Sequence, residues 1–271
     1  MEWELNGRLR TRRGEIAYRA WGEGPPVVLV HGTPSRSLVW RGVAPVLARS
    51  HRVVVWDLLG FGDSERHVEQ DVSLVAHGEV LAELVEQLEL ERPAFVGHDI
   101  GGAVALRAHL VEEVPIARLA LVDAVVLAPW ITPRTREMQS DPGRWGPLPD
   151  PELAETIESH LRSATARPLA PELFDALFGQ WAGAQGQALY LRNLAQFDER
   201  HTEAFEPLLP RIAVPTLVVW GEQDAWLPVE TSERVAARIP GAQRIVVPGA
   251  GHFCMEDAPD QLAAALSAFL G

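Results

Sequence analysis

The sequence predicts an α/β protein with a mostly parallel central sheet and helices on both faces. Short apolar runs alternate along the chain with segments of helical periodicity. Few polar residues interrupt these runs, which is typical of parallel strands that are buried on both faces. The chain has 271 residues, 47% of them hydrophobic, so it is long enough for one large core and an inserted segment.

Eight strands are predicted from the apolar runs. The first, near Leu5, and the second, over residues 15–19, are expected to form an antiparallel edge. The other six are predicted to be buried and parallel, at residues 26–31, 52–57, 94–97, 119–123, 216–220 and 244–247.

Helices are predicted between these strands and at the end of the chain. Apolar residues recur at helical spacing over residues 74–90, and Ser73 is placed to cap the start of that helix. Further helices are predicted at residues 101–110 and 259–270.

The strand pattern stops near Val126 and resumes near Pro215. The interval is rich in proline and tryptophan and contains a helix start at 150–152, Asp-Pro-Glu. We therefore predict two regions. An α/β core spans residues 1–125 and 212–271, and residues 126–211 form a helical cap over the carboxyl edge of the sheet.

Composition excludes several classes of function. A formal net charge of −13 leaves no basic stripe for phosphates, so no nucleic-acid partner is expected. The start of the chain lacks the apolar stretch of a signal peptide, and no run approaches the roughly 18 apolar residues that cross a bilayer. We expect a cytoplasmic monomer or homodimer without a membrane partner. Cys254 is the only cysteine, which excludes an internal disulfide, and it is expected to be packed and inert.

Residues 97–101, Gly-His-Asp-Ile-Gly, have the form Gly-x-nucleophile-x-Gly, with Asp99 at the position where serine is commonest. They lie where a predicted strand turns sharply into a helix. Such a turn strains the central residue and exposes its side chain, and the flanking glycines avoid clashes. The pattern predicts a nucleophile elbow.

Three further blocks follow predicted strands, where open α/β sheets place their ligands. The segment 31–34, His-Gly-Thr-Pro, follows the third strand. Asp224 follows the seventh strand and His252 the eighth. The order of nucleophile, acid and histidine matches a known hydrolytic arrangement. Asp123, at the end of the sixth strand, competes with Asp224 for the role of the acid.

With these blocks the chain resembles the α/β-hydrolase superfamily, and within it the aspartate-nucleophile branch of epoxide hydrolases and haloalkane or haloacetate dehalogenases. The resemblance covers nearly the whole chain and is weakest over residues 126–211. It implies a triad of Asp99, Asp224 and His252 and an oxyanion hole formed by the backbone N–H groups of Thr33 and Ile100. No cofactor or metal is implied, and the expected partner is a small-molecule substrate.

A carboxylate nucleophile limits the substrate. Attack of Asp99 on an ester carbonyl would give a reactive anhydride, whereas attack on an sp3 carbon gives an alkyl ester that water can hydrolyse. Epoxides and alkyl halides fit this chemistry. His252 would take a proton from the water in the second step, and Asp224 would orient the imidazole ring.

Two features of the cap bear on the choice of substrate. Epoxide hydrolases usually supply a tyrosine hydroxyl to the opening epoxide, and Tyr190 is the only tyrosine of the cap. The family's tyrosine directly precedes an arginine, whereas here Leu191 intervenes. One residue rotates a helix by about 100°, so a catalytic position and a packing position for Tyr190 are both open.

Dehalogenases instead bind the departing halide with N–H groups, often from a tryptophan directly after the nucleophile, where this chain has Ile100. The cap could supply an indole from Trp130, Trp145 or Trp181, and His31 and Trp40 are counted with them as candidate substrate-binding residues. Epoxide hydrolysis is the leading prediction and dehalogenation the alternative. An esterase, lactonase or biosynthetic enzyme that uses Asp99 as a base, and a non-catalytic binding module, also remain open.

Overall fold

The computed structural model describes residues 3–271 and contains one eight-stranded sheet. The strands are β1 (Gly7–Thr11), β2 (Gly14–Trp21), β3 (Pro26–Val30), β4 (Arg52–Trp56), β5 (Ala94–His98), β6 (Arg118–Val122), β7 (Thr216–Gly221) and β8 (Gln243–Val247). Their order in the sheet is β1-β2-β4-β3-β5-β6-β7-β8. The pairs from β4 to β8 are parallel, which confirms the predicted class.

The antiparallel edge is formed by β1 and β2, and β2 also pairs antiparallel with β4. The prediction that the first strand lies near Leu5 is wrong, because the strand begins at Gly7. A two-residue turn pairs Thr11 with Gly14. A tight turn fixes the register of its hairpin, and this one leaves Leu5 outside the ladder.

Eleven helices are present among residues 3–271. They are α1 (Ala44–Leu47), α2 (Leu74–Gln87), α3 (Ile100–Leu110), α4 (Pro133–Ser140), α5 (Pro151–Arg162), α6 (Pro171–Phe178), α7 (Gly183–Ala195), α8 (Arg200–Glu203), α9 (Glu230–Arg238), α10 (Cys254–Asp257) and α11 (Pro259–Leu270). Three 3₁₀ segments add to these, Ser37–Gly42, Gly179–Trp181 and Glu206–Arg211. No helix in residues 3–271 combines the length and apolar composition needed to cross a membrane.

The connections place helices on both faces of the sheet. The chain passes through α1 from β3 to β4 in one direction, and through α2 and α3 in the opposite direction. Because crossovers between parallel strands are right-handed, these opposite directions put α1 on one face and α2 and α3 on the other. α11 packs against α1, and α2 against α3. Every residue of β5 and β7 is therefore buried.

Local signals in the sequence set the helix starts. The Ser73 hydroxyl accepts a hydrogen bond from the Ala76 N–H (3.2 Å), and Asp150 caps α5 through the Leu153 N–H (3.0 Å). The end of α2 was predicted three residues too late. The Leu90 N–H returns to the Val85 carbonyl (3.0 Å), which closes the helix so that the chain can turn into β5.

The segment between β6 and β7 contains α4 to α8 and no strand. α7 contacts both α4 and α5, and side chains from this segment face the loops that follow β3, β5, β6 and β7. These helices therefore lie against the carboxyl edge of the sheet.

Candidate active site

Asp99 lies at the turn between β5 and α3 with a φ of 52° and a ψ of −126°. This conformation is strained for a residue other than glycine. A Cβ on Gly97 would lie 2.4 Å from the Gly101 carbonyl oxygen, so the turn requires glycine there. The Asp99 carbonyl accepts hydrogen bonds from the N–H groups of Gly102 (3.0 Å) and Val125 (2.9 Å), which hold the strained turn.

The loop after β3 touches the Asp99 carboxylate directly. The Thr33 N–H donates to Oδ1 over 2.7 Å. A Cβ on Gly32 would lie only 2.3 Å from the Asp99 Cβ, so glycine permits this close approach. One carboxylate oxygen therefore accepts a hydrogen bond from a predicted oxyanion-hole donor. The other, Oδ2, lies 3.5 Å from His252 Nε2.

His252 is fully buried and faces two carboxylates. Its Nδ1–H donates to Asp224 Oδ2 over 2.9 Å. Burial by itself lowers the pKa of the imidazole, but the hydrogen bond to Asp224 and the charges of Asp224 and Asp99 outweigh it, and the pKa lies well above its usual value. The structure thus brings the three predicted triad residues together in one chain of contacts.

Asp224 is held by the turn that follows β7. Its Oδ1 accepts hydrogen bonds from the N–H groups of Trp226 (2.8 Å) and Leu227 (2.9 Å), which leaves Oδ2 for His252. Asp123, the competing candidate, is buried beside this turn, and its Oδ1 accepts from the Gly221 N–H over 2.6 Å. It makes no hydrogen bond to His252, so Asp224 orients the imidazole ring.

A cavity opens above Asp99 between the sheet edge and the inserted helices. Apolar and aromatic side chains form most of its wall. Its polar groups are few, which is typical of small-molecule sites. They come from Thr33, Asp99, Thr132, Thr135, His160 and Tyr190, with the indole rings of Trp130 and Trp226 beside them.

Tyr190 lines the same cavity as Asp99, so of the two positions that the sequence left open the structure shows the one at the cavity. Its hydroxyl has no hydrogen-bond partner among residues 3–271. Burial raises the pKa of the phenol, which keeps it a neutral donor. Arg192 is directed elsewhere on α7, and one of its guanidinium nitrogens donates to the carbonyl of Gln70 (3.3 Å).

Trp130 also lines the cavity. It is 6% exposed, and its indole Nε1 is buried with no hydrogen-bond partner in the described part of the chain. An unpaired buried N–H is costly unless a ligand accepts from it.

The structure places the other four predicted substrate-binding residues outside the cavity. His31 is saturated, because Nε2 accepts from the Leu58 N–H and Nδ1 bonds the Gly32 carbonyl, both over 2.9 Å. The Trp181 indole donates to the Pro34 carbonyl (2.6 Å). Trp40 packs in the core edge-on against His98, and Trp145 lies under the guanidinium of Arg144. These side chains support the loops around the site.

Among the cavity residues that were not predicted from the sequence, two aromatic side chains lie closest to the His252 ring. His160 on α5 stacks on Trp226, with ring centroids 4.1 Å apart and an angle of 4° between the planes. Trp226 lies in turn 4.7 Å from the His252 ring. Burial lowers the pKa of His160 to about 4, so this ring is neutral at pH 7. The position of Trp226, two residues after Asp224, was the only sequence signal for this stack.

Comparisons with known proteins identify the family of this chain. Residues 25–259 match the family described as alpha/beta hydrolase fold. A Mycobacterium tuberculosis protein named haloalkane dehalogenase 2 is 32% identical over 94% of this chain and 91% of its own length. A Metapseudomonas resinovorans enzyme, 2-hydroxy-6-oxo-6-(2'-aminophenyl)hexa-2,4-dienoic acid hydrolase, is 26% identical over 94% and 87%.

Among solved structures, an alpha/beta hydrolase fold protein from Burkholderia ambifaria superimposes with a TM-score of 0.93. The two sequences are 37% identical, and the match covers 97% of each chain. The chain belongs to the α/β-hydrolase fold family and is a hydrolase of that family.

Proposed function

We propose that this hydrolase uses Asp99 as a covalent nucleophile toward an sp3 carbon. The observation that carries the proposal is the unequal environment of the two carboxylate oxygens. Oδ1 is held by the Thr33 N–H (2.7 Å), whereas Oδ2 takes no backbone donor and lies at the cavity. Oδ2 attacks the electrophilic carbon, and Oδ1 becomes the carbonyl oxygen of the resulting alkyl ester without leaving its donor.

Hydrolysis of the ester is the task of His252. Its Nε2 has no hydrogen-bond partner, and the 3.5 Å separation from Asp99 Oδ2 identifies it as the base nearest to the ester. Nε2 takes a proton from a water molecule as that water attacks the Asp99 carbonyl carbon, and Asp224 stabilises the imidazolium that forms. The negative charge that develops on Oδ1 is met by the Thr33 N–H, with the Ile100 N–H proposed as the second donor.

An epoxide is the substrate that we propose first. Opening the ring places negative charge on the departing oxygen, which needs a donor on the side of the cavity opposite the nucleophile. Tyr190 lines the same cavity as Asp99 and carries an unpaired, neutral hydroxyl that could serve as this donor. The apolar and aromatic walls favour a small epoxide with an alkyl or aryl substituent.

Dehalogenation of an alkyl halide is the second candidate. It is supported by the unpaired indole N–H of Trp130 at the same cavity and by the relative named haloalkane dehalogenase 2. Ile100 follows the nucleophile and offers no side-chain donor. Binding of the departing halide would therefore depend on the Trp130 indole and on the Tyr190 hydroxyl.

The test is to trap the covalent intermediate. The variant His252→Gln lacks the base of the second step, so an ester on Asp99 should accumulate when the protein is incubated with separate panels of epoxides and alkyl halides. Intact mass after denaturation identifies the reaction. An added mass equal to the whole epoxide supports an epoxide hydrolase, and an alkyl adduct with loss of halide supports a dehalogenase.

The matched control is the double variant Asp99→Asn/His252→Gln, which should gain no mass from any panel member. Peptide mapping of the single variant should place the adduct on Asp99. If no compound modifies His252→Gln, or if the double variant is modified to the same extent, the covalent mechanism is wrong.

A further inference from the structure

A second buried carboxyl group, which the proposed mechanism does not use, lies beside the turn after β7. Asp123 follows β6 directly and Asp224 follows β7, and these two strands are neighbours in the sheet. Both carboxyl groups are buried, and Asp123 is 0% exposed. Among residues 3–271 no arginine is paired with either of them, and His252 Nδ1 lies 2.9 Å from Asp224 Oδ2.

The hydrogen bonds around the two carboxyl groups are unequal. Asp224 accepts from two backbone N–H groups and from His252, which is enough to stabilise a negative charge. Asp123 accepts only from the Gly221 N–H, and its Oδ2 is buried with no donor among the described residues. A buried carboxylate oxygen without a donor is unfavourable.

The Asp224 carboxyl group lies within hydrogen-bonding reach of Asp123. Two carboxylates cannot donate to each other, since each is only an acceptor when ionised. A proton on Asp123 resolves the conflict, because it satisfies the orphan oxygen and gives Asp224 a further donor. Burial first and then the charge of Asp224 raise the pKa of Asp123 well above its usual value, in agreement with this arrangement.

The backbone also marks this position. Asp123 has a φ of 43°, and Asp99 has a φ of 52°. Each follows a central strand of the sheet at its carboxyl end. Strained non-glycine residues tend to persist at functional sites, and Asp99 is the nucleophile of the proposed mechanism.

We infer that Asp123 is a protonated carboxylic acid that donates a hydrogen bond to Asp224, so that the acid of the triad is a pair of carboxyl groups sharing one proton and one negative charge. Asp123 is a positioning residue. It fixes the Asp224 carboxylate and withdraws part of its charge, which limits how strongly Asp224 holds a proton on His252. The inference deepens the proposed function, since it rests on His252 being the base.

The other titratable groups around Asp123 do not provide the missing donor. His252 is oriented to Asp224 by its Nδ1–H, and the Cys254 thiol on α10 is buried, with its pKa raised by burial and then by Asp123. With Asp123 and the thiol neutral, Asp224 is the only one of these three groups that carries a negative charge.

The proton itself can be observed without substrate. The infrared difference spectrum between the wild-type protein and Asp123→Asn at pH 7 should contain the C=O stretch of a protonated carboxyl group in the wild type only. If the difference contains carboxylate bands and no such stretch, Asp123 is ionised and the inference is overturned.

The direction in which the pKa of His252 changes distinguishes a protonated Asp123 from an ionised one. NMR titration of His252 should show its pKa rising by about one unit in Asp123→Leu, because Asp224 loses a donor and regains its full charge. In Asp123→Asn the amide can still accept from the Gly221 N–H and donate to Asp224. The pKa of His252 in this variant should therefore lie close to the wild-type value. A fall of the pKa in both variants would mean that a negative charge was removed, and would overturn the inference.

If Asp123→Leu does not fold, the infrared band and the direction of the shift in Asp123→Asn still decide. Neither readout needs turnover. A missing ester adduct in the trapping experiment would therefore count against the proposed function, whereas a missing infrared band would count against the carboxyl pair.

Discussion

The groups around the cavity come from two regions that hold their side chains in different ways. At the carboxyl edge of the sheet, backbone N–H groups hold Asp99 and Asp224, and His252 is fixed by Asp224. In the inserted segment, Trp130, His160 and Tyr190 are held by packing, and the first and last leave their donors unpaired. The side chains at the sheet edge are thus fixed by hydrogen bonds, whereas donors of the inserted segment are free to bind a substrate.

Among the groups at the carboxyl edge of the sheet, removal of the proposed nucleophile should have the largest effect on activity. We expect Asp99→Ala to lower turnover of the substrate at least about 10⁴-fold, because no other group can form the ester. The free energy of unfolding should stay within about 1 kcal/mol of the wild-type value, since the turn keeps its backbone hydrogen bonds. Steady-state kinetics and urea unfolding measure the two effects. Turnover of an aryl ester that survived Asp99→Ala would instead point to a reaction without a covalent aspartate.

The next largest effect should come from the acid of the triad. Asp224→Asn should slow ester hydrolysis about 10³-fold to 10⁴-fold, because the amide no longer fixes the tautomer and charge of His252. Formation of the ester does not need His252, so the burst of alkylation should remain. Glu222→Gln is the matched control, since this exposed neighbour lies outside the site and should leave both steps unchanged. Loss of the burst in Asp224→Asn would show that Asp224 and His252 also act in the formation of the ester.

Variants of the inserted segment sharpen the comparison by separating the two candidate substrates. Tyr190→Phe should slow ester formation from an epoxide about 10²-fold, as expected for loss of one donor to a developing oxyanion. Trp130→Phe should have the smaller effect on epoxides and the larger effect on alkyl halides. Rapid-quench measurement of ester formation provides the rates. Equal losses for both substrates in both variants would mean that these residues shape the cavity and donate to neither leaving group.

The smallest expected effect is on pH dependence. In the free protein Asp224 and Asp99 raise the pKa of His252 above its ordinary 6.5, and formation of the ester removes the charge of Asp99. Ester hydrolysis should therefore rise with pH as the base loses its proton, with a midpoint below the pKa of His252 in the free protein. His160 should not contribute to this limb, because its pKa is about 4.

The raised pKa of His252 also affects the free energy of unfolding, which should fall as pH rises while the rate of ester hydrolysis increases. A raised pKa means that folding favours protonated His252, so this contribution is complete below about pH 6.5 and is lost as pH rises through the pKa of the folded protein. His252→Gln should remove that dependence. Chemical unfolding of both proteins between pH 6 and 9 measures it, and parallel curves would contradict the raised pKa.

The accuracy of sequence-based prediction also differed between the two regions. The parallel strands, the elbow at Asp99 and the blocks around Thr33, Asp224 and His252 were placed correctly in the fold. Their signals are local, because a buried strand is a continuous apolar run and a close approach of two loops requires glycine. Over the inserted segment the prediction gave helices but assigned Trp145 and Trp181 to a cavity that neither residue lines.

By itself the sequence determined the fold class, the positions where chemistry could occur and the order of the reacting groups along the chain. Tertiary structure alone decided that Tyr190 and Asp99 line one cavity, that His160 stacks on Trp226, and that Asp224 rather than Asp123 bonds His252. The reason is geometric. Strand ends meet at one edge whenever a parallel sheet forms, whereas the direction of a side chain on a packed helix depends on rotations of about 100° per residue that only its neighbours settle.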